Sequence, residues 1–299
     1  MQSRAAFDWV VMAVLVAIWG SGFAFLKVAT EHIDPLWTSA IRTGVATLTL
    51  AVALLAQGQR LPPLRHAAWR AYLFLGAVGM AIPLGFFAYA SQRTPSAVVA
   101  ICNGASPIFT GVLAHMFLAG DRLTPRKTLG ITVGFAGLIV LVGPRLASGA
   151  TVEALALSAA IFGALLYAIS NVATRVAPHV SASAGALMMV GWAFVVALGL
   201  AIAFEAPPAW PIPAPSLAAV LILGSVSTGL SNIGYVFLVQ RRGPLFMSMS
   251  IYLAPLIATG LGMAALGERP GWPAFVALGL ILGGVALATI APRPAAEPA

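Results

Sequence analysis

The sequence predicts an all-α integral membrane protein of ten transmembrane helices, arranged as two five-helix inverted repeats. Three observations predict this fold class: an apolar composition, ten long apolar runs, and landmarks that recur at a fixed distance. Hydrophobic residues make up 60% of the 299 residues and charged residues 8%, whereas a soluble domain carries roughly 25% charged residues. A soluble protein of this composition would expose too much apolar surface to remain dissolved.

Each apolar run is long enough to cross the bilayer, for which a helix needs about 20 residues. The gaps between the runs are short and contain proline, glycine or charged residues, as at 57–63 and 206–208, so they predict turns between adjacent helices. No gap could hold a soluble domain. The ten runs cover residues 9–28, 36–56, 71–91, 96–118, 127–146, 152–174, 183–204, 216–239, 244–267 and 272–291.

The distribution of lysine and arginine predicts that both termini are cytoplasmic, because basic residues favour the cytoplasmic ends of membrane helices. With the N-terminus inside, residues 292–299 form a cytoplasmic tail. We therefore expect a multi-pass membrane protein with both termini in the cytoplasm. In this orientation eleven of the sixteen basic residues face the cytoplasm, namely Arg4, Arg60, Arg65, Arg70, Arg122, Arg126, Lys127, Arg175, Arg241, Arg242 and Arg293.

The formal net charge of +8 does not predict nucleic-acid binding, since the basic residues are spread over short gaps and form no polar domain. The expected partners are the lipid bilayer and a small-molecule substrate. The sequence does not fix the oligomeric state, and a monomer is the simplest expectation. The single cysteine, Cys102, allows neither an intrachain disulfide nor a cysteine-based metal site, so we expect no metal and no cofactor.

Landmarks coincide when the sequence is shifted by 148 residues. Trp19 falls on Tyr167 and Phe87 on Tyr235, and four further pairs are Lys27 with Arg175, Gly76 with Gly224, Gln92 with Gln240, and Pro107 with Pro255. The repeat predicts a first half at 1–147 and a second half at 148–291. Because each half has five spans, the second half enters the membrane from the opposite side, which allows one central site with alternating access.

Polar residues inside the spans are candidates for a substrate cavity, because a mid-span amide is costly unless it has a partner. The sixth span carries Tyr167 and Asn171, and the eighth carries Asn232 and Tyr235, each pair at helical spacing with serine and threonine. Hydrogen bonding between helices is the alternative interpretation of the hydroxyl groups. We expect the two amides and the two tyrosines to line a cavity.

Arg42 is the most isolated charge, about two turns into the second span. Its side chain either extends toward the outer surface or provides a counter-charge for a substrate carboxylate. The sequence leaves both interpretations open.

Pro107 and Pro255 lie in the middle of the fourth and ninth spans, where a proline removes a helical hydrogen bond and bends the helix. Asn103 precedes Pro107 by one turn, and Tyr252 comes shortly before Pro255. The paired positions predict hinges beside the substrate, with a static packing kink as the alternative.

Several classes of protein are disfavoured by what the spans lack. No aspartate or glutamate falls in the middle of a predicted span, so tight ion coupling through a buried carboxylate is not expected. No glycine-rich loop ends in Gly-Lys-Ser/Thr, and no catalytic set or HExxH motif appears, so we expect neither ATP hydrolysis nor any other enzyme activity.

Several short motifs resemble one family across nearly the whole chain. They are Ala17-Ile18-Trp19-Gly20-Ser21-Gly22-Phe23 followed by Lys27, then Ile41-Arg42, Ala105-Ser106-Pro107-Ile108, Gly120-Asp121-Arg122-Leu123 and Gly267-Glu268-Arg269-Pro270. The chain resembles the drug/metabolite transporter superfamily and, within it, the EamA family. The resemblance implies a central cavity built by both halves, export of small metabolites, and gating by the hairpins of spans three–four and eight–nine.

Within that family the chain looks most like amino-acid exporters of the YddG type, which implies a protein of the bacterial inner membrane. This likeness rests on overall similarity and on an aromatic set suited to apolar or aromatic substrates. That set comprises Trp19, Phe87, Tyr167, Tyr235 and Tyr252, with Phe23 in the first motif. We expect a facilitative exporter of amino acids with aromatic or large apolar side chains. A broad efflux carrier for hydrophobic drugs and a channel-like pore for small solutes are the alternatives.

Overall fold

The computed structural model describes residues 2–118, 124–242 and 244–289, excluding the side chains of 2–5, 145, 236, 239–242, 244–252 and 289. This part of the chain contains helices and no strand, so the all-α prediction is confirmed. The helices form ten spans, numbered 1 to 10 in chain order. They are Gln2–Ala29, Pro35–Ala56, Ala68–Arg93, Ser96–Phe117, Pro125–Ala147, Thr151–Thr174, Ala182–Phe204, 214–242, Pro244–Ala265 and Trp272–Thr289.

Spans 1 to 8 are long and apolar enough to cross a membrane, and spans 9 and 10 contribute the shorter apolar helices Leu253–Ala265 and Trp272–Ala288. Span 1 begins before residue 9, so Asp8 lies inside the helix and is 2% exposed. The apolar span begins at Ala6, a few residues before the predicted start at about residue 9. The predicted tail at 292–299 and the motif at 120–123 lie outside the described residues.

Equivalent helices of the two halves make equivalent packing contacts. Spans 5 and 10, spans 2 and 7, and spans 4 and 9 each pack against their own counterpart. Contacts between different spans are also matched by the repeat. Span 3 packs on span 6, and the equivalent pair, spans 8 and 1, is also in contact. Span 1 packs on span 9, and the equivalent pair, spans 6 and 4, is in contact as well. Span 2 packs on span 8 as span 7 packs on span 3. Two equivalent five-helix units around a two-fold axis would give this pattern.

The glycines of the repeat mark two close helix contacts. A Cβ atom on Gly76 would lie 2.5 Å from the main-chain oxygen of Met189 in span 7, and one on Gly224 would lie 2.7 Å from that of Arg42 in span 2. Small residues allow such close approach of membrane helices. Both spans also contain π-helical turns at this point: Ala77–Ala81 follows Gly76, and Leu223–Leu230 includes Gly224. Such turns are frequent at functional sites.

We expect alanine at Gly76 or Gly224 to destabilise the bundle, because the added methyl group would overlap main-chain atoms. Overpacking of this kind costs about 1–3 kcal/mol, which a lower thermal unfolding midpoint in detergent would report. Gly279→Ala is the matched control, since a Cβ atom there would meet nothing within 4 Å and helical alanine is favoured over glycine. Equal midpoints for all three variants would contradict the expectation.

Candidate functional site

A cavity of about 240 Å³ lies at the centre of the bundle, between spans 1, 2, 3, 4, 6 and 8. Seven of the ten predicted substrate-binding residues line it: Trp19, Phe23, Arg42, Phe87, Asn103, Tyr167 and Asn232. The other lining residues are Gly22, Leu26, Met80, Leu84, Ser227, Thr228 and Ser231. The structure thus brings together most of the candidates from both halves.

Two described candidates, Asn171 and Tyr235, are not on the cavity wall. Asn171 is exposed and donates from Nδ2 to the Thr110 hydroxyl at 3.4 Å, so it joins span 6 to span 4. Tyr235 is 42% exposed, and its ring centroid lies 6.2 Å from that of Trp19. Asn232 and Tyr235 share the regular helix Ser231–Arg242, and of the two only Asn232 lines the cavity. The side chain of Tyr252 lies outside the described part of the structure.

Arg42 extends into the cavity and not toward the surface. Its Nε donates to the Thr228 hydroxyl at 2.8 Å, which links span 2 of one half to span 8 of the other. Thr228 is buried, and its carbonyl accepts a hydrogen bond from the Asn232 amide at 2.8 Å. Among the described side chains no carboxylate pairs with this guanidinium. The cavity therefore contains a fixed positive charge whose anionic partner the described protein does not supply.

The rest of the wall divides into polar and apolar parts. Span 8 contributes hydroxyl and amide groups beside Arg42, and the Ser231 hydroxyl donates to the Ser227 carbonyl at 2.7 Å. Span 3 contributes only Met80, Leu84 and Phe87. The Phe87 ring packs against Tyr167 with 5.4 Å between ring centroids, which fixes the aromatic part of the wall.

Span 4 is interrupted where it meets the cavity. Its helix ends at Asn103, and a second helix begins at Ser106. Pro107 therefore lies in a first helical turn, where its missing N–H removes no hydrogen bond. The predicted kink by Pro107 within a continuous helix is wrong; the break at Gly104 replaces it.

Pro255 does lie inside its helix, and it is buried. A Cβ atom on Gly104 would be 3.5 Å from the Cγ of Pro255, so the break of span 4 packs against this proline. The amide oxygen of Asn103, at the same break, is buried and has no hydrogen-bond partner.

Two charged side chains hold the turn between spans 3 and 4. The Lys27 amine donates to the carbonyls of Ser91 and Thr94, at 2.7 and 3.3 Å, at the end of span 3. Glu268 accepts from the Ser96 N–H at 2.7 Å, the Ser96 hydroxyl at 2.9 Å and the Ala97 N–H at 3.4 Å, at the start of span 4. Each charge suits the helix end that it meets. We call this pair the Lys27–Glu268 clamp.

A third charged contact lies at the start of span 2. The Glu205 carboxylate, just beyond span 7, accepts from the N–H groups of Leu36 and Trp37 at 3.0–3.1 Å. Burial raises the pKa of Glu205 above its usual range, although these two hydrogen bonds lower it; nearby Asp34 raises it further.

We expect a pH dependence of stability from Glu205. Because its pKa is higher in the folded protein than in the unfolded chain, its contribution to stability is largest at low pH and is lost as the pH rises through the folded value. Wild type should therefore gain thermal stability relative to Glu205→Gln as the pH falls from neutral toward 4.5, the ordinary pKa of a glutamate. A difference in midpoint that stays constant with pH would rule this out.

A second cavity, of about 310 Å³, lies between spans 2, 7 and 8. Asn232 lines both this cavity and the central one. Beside it the Gln57 and Gln59 side chains accept hydrogen bonds from the hydroxyls of Ser183 and Ser181, each at 2.8 Å. The second cavity therefore adjoins the central cavity at Asn232 and extends from there toward the end of the bundle at Gln57.

An apolar ten-span bundle whose two halves enclose a polar central cavity defines a membrane transporter. The model of the EamA-like transporter family matches the chain twice, at residues 8–143 and 154–290. The chain belongs to this family, as its motifs predicted.

Several curated proteins are similar over most of their length. The uncharacterized inner membrane transporter YedA of Escherichia coli K12 is 29% identical, over 92% of this chain and 88% of its own. The aromatic amino acid exporter YddG of Ancylobacter novellus is 28% identical, over 93% and 95%. A probable terminal-alkyne amino-acid exporter of Streptantibioticus cattleyicolor is 25% identical, over 92% and 91%. A solved crystal structure with 25% identity covers 95% of this chain and 97% of its own, with a TM-score of 0.66.

Proposed function

We propose that this protein exports amino acids with aromatic or large apolar side chains across the bacterial inner membrane. Arg42 carries the proposal. An unpaired charge inside a membrane bundle is costly, and a substrate carboxylate would provide its missing partner. The aromatic lining formed by Trp19, Phe23, Phe87 and Tyr167 would contact the substrate side chain. The names of the YddG and terminal-alkyne relatives support an amino acid, and that of YedA supports the inner membrane.

Transport by alternating access is part of the proposal. The symmetric packing and the tandem family match support two inverted repeats, at 1–147 and 148–291. With both termini cytoplasmic, the Lys27–Glu268 clamp would close the outer side and the second cavity would lead to the cytoplasm. The spans 3–4 and 8–9 would act as gates. The break before Pro107 and the kink at Pro255 would act as hinges.

Facilitative transport fits the composition of the cavity. None of the fourteen lining residues that the structure describes is acidic, so this part of the lining supplies no carboxylate for proton or sodium coupling. Asn171 and Tyr235 would take part in the cycle only if another facing state turned them toward the substrate, and Tyr252 remains a proposed substrate contact. We propose that the transporting unit is a monomer, because described residues from six spans of one chain surround the central cavity.

The two alternatives differ from this proposal in measurable ways. A broad drug efflux carrier would favour lipophilic cations, which the charge of Arg42 would repel. A channel-like pore would show flux that does not saturate.

Export from preloaded cells tests the proposed function. Cells lacking their own aromatic exporters are loaded through dipeptides containing phenylalanine, tryptophan, leucine or lysine, and the free amino acids released are measured. We expect expression of the protein to speed release of the first three and not of lysine. Unchanged release of all four, with resistance to cationic drugs instead, would favour the efflux alternative.

A further inference from the structure

The internal repeat provides a comparison between the two sides of the cavity. Where the two halves carry similar lining residues, as with Trp19 and Tyr167, the wall is aromatic on both sides. Spans 3 and 8 are counterparts that differ. The 148-residue shift places Met80 on Thr228 and Leu84 on Asn232, and all four side chains line the cavity.

The difference gives the cavity two chemically distinct sides. The span 8 side offers a hydroxyl and an amide beside the Arg42 guanidinium, and Thr228 already accepts from that group at 2.8 Å. The span 3 side offers a thioether and an isobutyl group that form no hydrogen bond. An amino acid has the same division, with a charged head group and, in the proposed substrates, an apolar side chain.

Position in the fold separates Met80 from Leu84 and from the fixed aromatic wall. Met80 belongs to the π-helical turn Ala77–Ala81 and is half-buried, whereas Leu84 and Phe87 are 4% and 2% exposed. A ring carbon of Phe87 lies 3.2 Å from where a Cβ atom on Gly163 would be, so this ring has little room to move. Met80 is unbranched and can adapt its shape to different ligands.

We propose that Met80 and Leu84 determine which amino-acid side chain is transported, and that Arg42, Thr228 and Asn232 hold the head group. This inference rests on the proposed function and adds to it the orientation of the substrate. Changes on the span 3 side should therefore alter the ranking of substrates by size. Changes on the span 8 side should weaken the binding of every amino-acid substrate to the same extent, because all of them share the same head group.

The test compares four variants in liposomes that contain the purified protein. Exchange of labelled tryptophan, phenylalanine and valine against unlabelled phenylalanine is measured for Leu84→Phe, Met80→Ala and Thr228→Val. Leu73→Phe is the matched control, because Leu73 is on the same span but 39% exposed and away from the cavity. Valine has nearly the shape of threonine, so Thr228→Val removes a hydroxyl group and little volume.

We expect Leu84→Phe to lower the ratio of tryptophan to valine exchange at least tenfold, and Met80→Ala to raise it. Thr228→Val should reduce all three rates with the ratio unchanged, and Leu73→Phe should behave as wild type. Met80→Ala only removes atoms, so it keeps the test decisive if Leu84→Phe does not fold. Wild-type ratios in both span 3 variants would overturn the inference. If the wild type itself exchanged no amino acid, the proposed function would fail first, and the inference with it.

Discussion

Arg42→Met should reduce amino-acid export by at least about 30-fold. Removing one member of a buried, hydrogen-bonded charge pair costs about 2–5 kcal/mol, and each 1.4 kcal/mol is a factor of ten. Here the second member is the substrate carboxylate, which would enter the cavity without a counter-charge. Initial rates of phenylalanine exchange in liposomes would measure the loss. Arg42→Lys should retain part of the activity, because lysine keeps the charge but not the planar fork of donors.

The control for this prediction is Arg93→Gln. Arg93 is an exposed arginine at the end of span 3. Its Cζ atom lies 3.8 Å from the centre of the Tyr89 ring, and its guanidinium donates to the Tyr89 carbonyl. Its loss should change export by less than about twofold, as expected for surface charges. Normal export by Arg42→Met, in protein that unfolds at the wild-type temperature, would remove Arg42 from the site.

Glu268→Ala should open the end of the bundle that the Lys27–Glu268 clamp holds. The variant leaves the Ser96 and Ala97 N–H groups without their acceptor, and a buried unpaired donor costs about 1–3 kcal/mol. That amount is enough to move a two-state equilibrium from mostly closed to an even mixture or beyond. Export should fall at the same time, since a carrier that cannot close one end completes its cycle slowly.

Thiol labelling can measure this opening. Leu26→Cys places a thiol on the cavity wall beside Lys27, whereas the native Cys102 is fully buried. We expect a membrane-impermeant thiol reagent to label Leu26→Cys several times faster in the Glu268→Ala background. Glu31→Gln is the matched control, because Glu31 is an exposed acid near the same lysine. Equal labelling in both backgrounds would show that Glu268 does not hold this end closed.

The sequence predicted the fold because membrane helices must satisfy their own backbone groups, so length and hydropathy alone reveal them. The repeat then predicted the cavity, and the two aromatic residues at equivalent positions, Trp19 and Tyr167, both line it. Arg42 could be singled out but not interpreted. Its side chain points into the cavity, where it is hydrogen-bonded to Thr228, a residue 186 positions away in the sequence.

The missed residues have physical reasons as well. Met80 and Leu84 are apolar side chains in an apolar span, so nothing in their own sequence marks them as cavity residues. The shift that places them on Thr228 and Asn232 was the available signal. Asn171 and Tyr235 were misplaced because helical spacing does not reveal which way a span is turned. Pro107 was misread because a proline marks an irregularity without showing whether the helix bends or breaks.

Counterflow is the most direct test of a carrier built around the central cavity. Liposomes containing only this protein are loaded with unlabelled phenylalanine and diluted into a trace of the labelled amino acid. We predict a transient accumulation of label above its external concentration, saturable by phenylalanine, absent with Arg42→Met and unaffected by an imposed pH gradient. Label that only equilibrates, at a rate proportional to concentration and equal in the Arg42→Met variant, would contradict both the carrier and its site.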